Sequence, residues 1–221
     1  MTCLALCVVA AHHPQLLDQW DHVLALGPDW WRRSASWLEH PLVWVSSAFG
    51  TVASAIATVV VAGLLLYWKQ GRAAAYVVLT IAGTSLVTAG LKQYVGLARP
   101  VVVNPILQYT SSAMPSGHAS NIAAAVTVTG VLSALFLRRR ARRRLVLVVG
   151  VIVVVVVGLD RLMLGVHTPT EVVAGYTLGA GLGLLAAYVV NPVARVCVER
   201  VHEAGDRAEP ANPGEPPEAQ A

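Results

Sequence analysis

Long apolar runs without charge are the feature that most constrains how this 221-residue chain can fold. A helix needs about 20 apolar residues to cross the bilayer core, which is about 30 Å thick. The stretches that reach or approach this length are residues 41–68, 73–91, 119–137, 145–159 (extended by 162–166) and 172–190. A soluble domain of this size cannot bury so much apolar surface. The sequence therefore predicts an integral membrane protein.

These spans are expected to be helices rather than strands of a barrel. Barrel strands alternate apolar and polar residues, whereas these runs are continuous. A helix also satisfies all its backbone hydrogen bonds internally, as the bilayer requires. We therefore predict an all-α fold, a polytopic transmembrane helical bundle of five full spans. A short apolar segment, residues 2–11, precedes them and is too short to cross a membrane.

The composition excludes two other classes of protein. Apolar residues make up 56% of the chain and charged residues only 13%, whereas disordered chains are poor in apolar residues. The three cysteines do not form the framework of a disulfide-rich domain, because Cys3 and Cys7 lie far in sequence from Cys197.

The basic residues predict the orientation of the bundle. Six arginines crowd residues 138–144, and Lys69 and Arg72 lie in another loop. Both loops should face the cytoplasm by the positive-inside rule, so the loops 92–118 and 160–171 should face outside. The arginine cluster exceeds the whole net charge of +4, so no nucleic-acid partner is expected. A specific site for anionic lipids is the alternative interpretation of this cluster.

The same patterns divide the chain into three regions. Residues 1–40 join the apolar segment to a Trp-rich stretch, which we expect to form one or two helices on the outer surface because Trp favours the membrane–water interface. Residues 41–190 form the transmembrane domain, with Trp44 and Trp68 at the two ends of its first span. Residues 191–221 form a cytoplasmic tail, rich in Pro, Glu and Ala, that is expected to be disordered.

The two outward loops hold nearly all of the polar chemistry. Their candidate residues are Lys92, Arg99, Ser116, Gly117 and His118 in the first loop, and Asp160, Arg161, His167 and Glu171 in the second. Ionisable residues at the ends of spans are costly and usually functional. Arginine matches the geometry of phosphate oxygens, and the free N–H groups of a helix that begins near His118 attract anions. The set predicts a phosphate site at the height of the lipid headgroups.

Two histidines suggest what happens at that phosphate. Imidazole can act as a nucleophile or as an acid near neutral pH. His167 lies four residues before Glu171, a spacing that lets the carboxylate hold one ring nitrogen and leaves the other free to attack. His118 has no carboxylate nearby in sequence, which suits a proton donor. Each residue alone has an ordinary structural explanation, but together they favour phosphoryl transfer.

Three segments resemble, in order, the motifs of the type 2 phosphatidic acid phosphatase superfamily. Residues 92–100 resemble its Lys-x6-Arg-Pro motif, residues 115–118 match its Pro-Ser-Gly-His motif, and residues 160–171 resemble its Ser-Arg-x5-His-x3-Asp motif. Two positions depart from the pattern. Asp160 replaces the usual Ser and should weaken anion binding unless its carboxylate turns away or pairs with Arg161. Glu171 replaces the usual Asp and is one methylene longer.

The resemblance covers roughly residues 45–190 and implies a helical bundle, usually of six spans, with its site at the outer face. It implies that His167 is the nucleophile and forms a phosphohistidine intermediate, that Glu171 orients it, and that His118 is the general acid. The residues that it implies for phosphate binding are Lys92, Arg99, Ser116, Gly117 and Arg161. It implies no metal and no other cofactor.

Two functions stay open at this point. The first is a membrane lipid phosphatase that hydrolyses a lipid phosphate or diphosphate, either a phosphatidate-type lipid or a polyprenyl diphosphate such as undecaprenyl diphosphate. The bias towards Ala, Val and Arg is typical of a GC-rich bacterial genome, so the plasma membrane of a bacterium is expected. The second is a catalytically impaired lipid-phosphate binder or transporter component, which Asp160 and Glu171 favour. Membrane lipids are expected partners in both, and the sequence predicts no particular oligomeric state.

Overall fold

The computed structural model describes residues 2–23, 31, 33–99, 106–107 and 109–192. Regular structure in this part of the chain is entirely helical, which confirms the predicted all-α bundle. The α-helices are α1 (Thr2–His12), α2 (Gln15–Val23), α3 (Glu39–Ala48), α4 (Thr51–Tyr67), α5 (Gly71–Val95), α6 (Gly117–Phe136), α7 (Arg140–Met163) and α8 (Pro169–Val190). A short 3-10 turn, Ser36–Leu38, leads directly into α3.

Four of these helices, α5 to α8, are long and apolar enough to cross a membrane. The segment from Ser36 to Tyr67 passes the same test only as a pair of helices that meet at 45°. The described residues therefore provide four candidate spans, or five if the bent pair counts as one. Trp44 and Trp68 do not mark the ends of one straight span, because the helix breaks at Phe49 and Gly50. Neighbouring serines and a glycine are a usual cause of such kinks.

Helices α6 and α8 make the closest contact in the bundle. Gly175, Gly179 and Gly183 recur every four residues along α8, as expected for a helix-packing face. A Cβ atom placed on Gly179 would lie 2.0 Å from the backbone oxygen of Ser120, and one on Gly175 would lie 2.7 Å from that of Ser116. Small residues of this kind let helix backbones approach within a membrane. The first turns of α6 and α8 therefore lie side by side.

The two N-terminal helices, α1 and α2, both pack against α8. Cys3 and Cys7 of α1 are buried together with Leu178 of α8, so this short apolar helix belongs to the core although it cannot span. Asp21 of α2 accepts hydrogen bonds from the backbone N–H and the hydroxyl of Thr170, at 3.0 and 2.7 Å. Helix α2 is thus tied to the first turn of α8.

Trp31 differs from other tryptophans of the N-terminal region because it is buried. Its side chain is only 1% exposed, and its indole N–H donates to the backbone oxygen of Met163 at 2.9 Å. Trp20 and Trp37, in contrast, are 71% and 69% exposed. The predicted tail lies outside the described residues from residue 193 onward.

Candidate active site

Both loops that the charge pattern assigns to one face lie at the same end of the bundle. Helix α5 ends at Val95 and is capped by Gly96, whose φ of 62° is left-handed and whose N–H donates to the Lys92 oxygen. The chain then returns beside this end, because the N–H of Ala113 donates to the Leu97 oxygen at 2.9 Å. The basic loop that joins α6 to α7 lies at the opposite end of both helices. Arg72 marks that opposite end too, donating to the last carbonyl of α8 at Val190.

His167 and Glu171 form a buried pair at the centre of the candidate site. Nδ1 of His167 lies 2.7 Å from Oε2 of Glu171, and their residues are 6% and 1% exposed. The same carboxylate oxygen accepts the backbone N–H of Thr168 at 3.1 Å. Thr168 caps α8, and Glu171 is the third residue of its first turn, so a capping box holds the carboxylate in place.

The neighbours of His167 assign its tautomer. A carboxylate oxygen accepts, so Nδ1 carries the proton and Nε2 keeps a lone pair. Nε2 lies 3.4 Å from Nη1 of Arg99, a group that can only donate, which gives the same assignment. Burial lowers the pKa of His167 well below its usual range, and the positive charges of Arg99, Lys92 and Arg161 lower it further. The ring is therefore neutral near pH 7, with its free nitrogen facing the cations.

Arg99 is fixed by backbone and aromatic contacts. Its Nε donates to the Ser111 oxygen at 2.9 Å, and its Nη1 donates to the Val166 oxygen at 2.8 Å. Its guanidinium also lies over the ring of Tyr109, 4.6 Å from the centroid. These contacts orient the planar fork beside His167 and cross-link the two loops.

The carboxylate of Asp160, which replaces the usual Ser, lies against Arg161. Oδ2 of Asp160 accepts from both Nε and Nη2 of Arg161, the first at 2.9 Å, so the two side chains form an ion pair. Both residues are buried, and Oδ1 of Asp160 has no hydrogen-bond partner in the described structure. Nη1 of Arg161 lies 3.4 Å from the hydroxyl of Tyr109. Asp160 therefore pairs with Arg161 rather than turning away.

The other residues predicted to bind phosphate lie at the same end of the bundle as His167. Lys92 Nζ donates to the backbone oxygens of Ser112 and Ala113, the second at 3.4 Å. The Ser116 hydroxyl is buried without a hydrogen-bond partner among the described residues. Ser116 also precedes the first turn of α6, which Gly117 begins, and free backbone N–H groups at such a turn attract anions.

His118 is held by the backbone of α3 rather than by a side chain. Its Nε2 lies 3.1 Å from the backbone oxygen of Ser46 in α3. The hydrogen-bond partner of its ring in the described structure is thus a backbone carbonyl and not a carboxylate. No group of three or more His, Cys, Asp or Glu side chains within the described ranges could hold a metal ion.

Three contributors to the site were missed by the sequence analysis. Tyr109 lies between Arg99 and Arg161 and contacts both. Asp21 binds the first turn of α8 from a position 149 residues away in the chain. The backbone oxygen of Ser46 contacts the ring of His118. Only Tyr109 carried a usable signal, since it is an aromatic residue in a loop already assigned to the site.

Comparison with known proteins agrees with this architecture. Residues 73–195 match the model of the PAP2 superfamily. The chain is also similar to a structure described as the first transmembrane PAP2-type phosphatidylglycerolphosphate phosphatase from Bacillus subtilis, with a TM-score of 0.71 and 23% identity over 86% of this chain and 93% of that one. At this identity the likeness shows the fold. No curated protein sequence matches the chain. Because the family model covers more than half of its length, this integral membrane protein belongs to the PAP2 superfamily.

Proposed function

We propose that the protein is a lipid phosphatase that hydrolyses a phosphate or diphosphate ester through a phosphohistidine. The observation that carries this proposal is the geometry of His167. Glu171 holds its Nδ1 at 2.7 Å, and its free Nε2 faces the guanidinium of Arg99. A neutral imidazole with one nitrogen held by a carboxylate and the other facing cations is suited to attack an anionic phosphorus centre.

The reaction proceeds in two steps. Nε2 of His167 attacks phosphorus, the bond from phosphorus to the lipid oxygen breaks, and His118 gives its proton to that oxygen. Water then attacks the phosphohistidine, His118 takes a proton from the water, and phosphate leaves His167 free. Glu171 stabilises the positive charge that develops on the imidazole during the attack.

The phosphoryl oxygens bind in the space that the cations surround. Arg99, Arg161 and Lys92 neutralise the charge on the transferring group, which is the main source of catalysis in phosphoryl transfer. The unpartnered Ser116 hydroxyl and the first N–H groups of α6 provide further donors. Donors that are already oriented need no reorganisation during the reaction.

An apolar cavity of about 580 Å³ supports a lipid as the substrate. It begins beside Ala48 and Phe49, near the turn that contacts His118, and continues along α4 and α6 as far as Leu137. The portion along α6, from Asn121 to Leu137, is about 24 Å long at about 1.5 Å per residue. A hydrocarbon chain that lies in this cavity would have its headgroup end near the turn that contacts His118.

Two lipid classes fit this arrangement, namely phosphatidate-type monophosphates and polyprenyl diphosphates such as undecaprenyl diphosphate. The similar Bacillus subtilis protein is described as a phosphatidylglycerolphosphate phosphatase, which adds that lipid to the first class. The arginines of residues 138–144 lie at the end of the bundle away from His167, so the positive-inside rule favours an active site on the outer face of a plasma membrane.

A second candidate function is a lipid-phosphate binder or transporter component without turnover. The break between α3 and α4 favours it, because discontinuous helices line the sites of many transporters. The ion pair between Asp160 and Arg161 favours it too, since it engages one of the phosphate-binding cations.

Phosphate release by the purified protein in detergent and EDTA tests the proposal. The substrates are phosphatidate, phosphatidylglycerolphosphate and undecaprenyl diphosphate, and the variants are His167→Ala and the control His40→Ala, an exposed residue of α3. We expect release that requires His167, and a phosphoenzyme that is labile to acid and trapped only when His167 is present. Binding of all three lipids without release from any would favour the second candidate.

A further inference from the structure

The break between α3 and α4 frees one backbone carbonyl. In a continuous helix the N–H of Gly50 would donate to the oxygen of Ser46, four residues earlier. It donates instead to the Ser47 oxygen at 3.2 Å, while the N–H of Phe49 donates to the Val45 oxygen at 3.0 Å. The Ser46 oxygen lies 3.1 Å from Nε2 of His118. The bend thus converts a helix carbonyl into a partner for a residue of the site.

This contact determines which nitrogen of His118 carries a proton. A carbonyl oxygen can only accept, so Nε2 is the protonated nitrogen and donates to Ser46. Nδ1 is then the nitrogen that exchanges a proton with a bound molecule. His167 has the opposite arrangement, because Glu171 holds its Nδ1 and leaves Nε2 free.

Gly50 keeps the Ser46 carbonyl available. A Cβ atom on Gly50 would lie 3.3 Å from the oxygens of Ser46 and Ser47 and 3.8 Å from Nε2 of His118. The backbone of Gly50, with φ −71° and ψ 172°, is one that any residue adopts, so the conflict is with the carbonyls alone. The Ser47 hydroxyl donates to the Val43 oxygen at 2.9 Å, a contact that often bends helices.

We propose that the Ser46 carbonyl, made available by the break at Phe49 and Gly50, is a positioning group for His118. It fixes the ring with Nε2 on the carbonyl, so that Nδ1 takes up the proton of a bound phosphate monoanion and gives it to the leaving oxygen of the substrate. Gly50 is a positioning residue that acts through this carbonyl. The inference rests on the proposed function, in which His118 protonates the leaving group.

Substrates that differ in their need for an acid test this inference. The leaving oxygen of a soluble short-chain phosphatidate needs a proton, whereas that of p-nitrophenyl phosphate leaves readily without one. We expect His118→Ala to lower kcat with the phosphatidate by about 10²- to 10⁴-fold and to have much less effect with p-nitrophenyl phosphate. Gly50→Ala should show the same selectivity, with a loss of about tenfold or more for the phosphatidate.

The matched control is Gly63→Ala, a glycine of α4 whose added Cβ would meet no atom within 4 Å. It should leave both rates unchanged. An equal loss on both substrates for Gly50→Ala would mean a merely structural role and would overturn the inference alone. An absence of selectivity in His118→Ala would overturn the acid assignment of the proposed function and this inference with it.

A spectroscopic measurement avoids the risk that Gly50→Ala fails to fold. Nitrogen-15 NMR of histidine-labelled native protein distinguishes the two neutral tautomers, and His118→Ala assigns the signal. The expected spectrum has His118 protonated at Nε2 and unprotonated at Nδ1. A His118 ring protonated at Nδ1 alone would contradict the inference, because the Ser46 carbonyl cannot donate a proton.

Discussion

The two histidines of the proposed site are held by different kinds of structure. His167 is buried beside α8, which packs almost backbone to backbone on α6, and it is held by the side chain of Glu171. His118 is held by a backbone oxygen from the bent α3–α4 pair, which borders an apolar cavity. The proposed nucleophile therefore depends on close packing in the core, whereas the proposed acid depends on an irregularity in a peripheral span.

Loss of the carboxylate beside His167 should slow the reaction strongly. Replacing Glu171 by Gln should lower kcat by about 10²-fold or more, because the amide stabilises a positive imidazole poorly and does not enforce the tautomer with Nε2 free. Glu171→Asp is the control, since it keeps the charge and should retain more activity. Steady-state rates with a short-chain phosphatidate provide the measurement. Equal rates for Glu171→Gln and the native protein would remove the carboxylate from the mechanism.

The packing of α6 on α8 gives the next effect, on stability. Gly179→Ala places a Cβ 2.0 Å from the Ser120 oxygen, so the helices must separate, at a cost of about 1–3 kcal/mol. Gly181→Ala lies on the same helix and meets no atom within 4 Å. Thermal unfolding in detergent should show a clear fall in Tm for the first variant and no fall for the second. Equal Tm values would mean that the close contact is absent in solution.

Loss of the Asp160 charge should have a smaller effect, on the binding of inorganic phosphate. Asp160→Ser removes a negative charge that engages two nitrogens of Arg161, so inorganic phosphate should inhibit about threefold to tenfold more strongly, equal to about 0.6–1.4 kcal/mol. Asp160→Asn removes the charge and keeps the shape, and should shift inhibition in the same direction. Weaker inhibition in both variants would show that Asp160 holds Arg161 in the orientation that binds the anion.

The smallest effect is a shift in the titration of His167. Burial and the nearby cations hold its pKa below the usual value of about 6.5, so the ring takes up a proton only at lower pH and stays nucleophilic above that point. NMR titration of histidine-labelled protein, with His167→Ala for assignment, should place the midpoint below about 6.5. Bound phosphate should raise the midpoint, because an anion stabilises the imidazolium. A midpoint at or above 6.5 without phosphate would contradict the buried, cation-rich environment.

Most of the core could be predicted from the sequence, and most of the periphery could not. Apolar length predicted α5 to α8, and glycines that recur every four residues are the sequence signal of the packing face of α8. The spacing of His167 and Glu171 predicted their contact, because both lie within one helical turn. The bend at Gly50 was missed, since hydropathy averaged over a window does not register where a helix breaks. The contact of Asp21 with Thr170 was missed because it depends on how distant segments pack.

The glycine face of α8 has a consequence for how this protein can change. The N–H of Ser116 donates to the oxygen of Glu171 at 3.1 Å, so the residue that precedes α6 and the first turn of α8 are joined through main-chain atoms. A side chain added at Gly175 or Gly179 would force the two helices apart. Substitutions on the lipid-facing sides of the spans avoid this contact. Under the proposed function, the lipid that is recognised can therefore vary with the outer helices while the spacing of Ser116 and Glu171 stays constant.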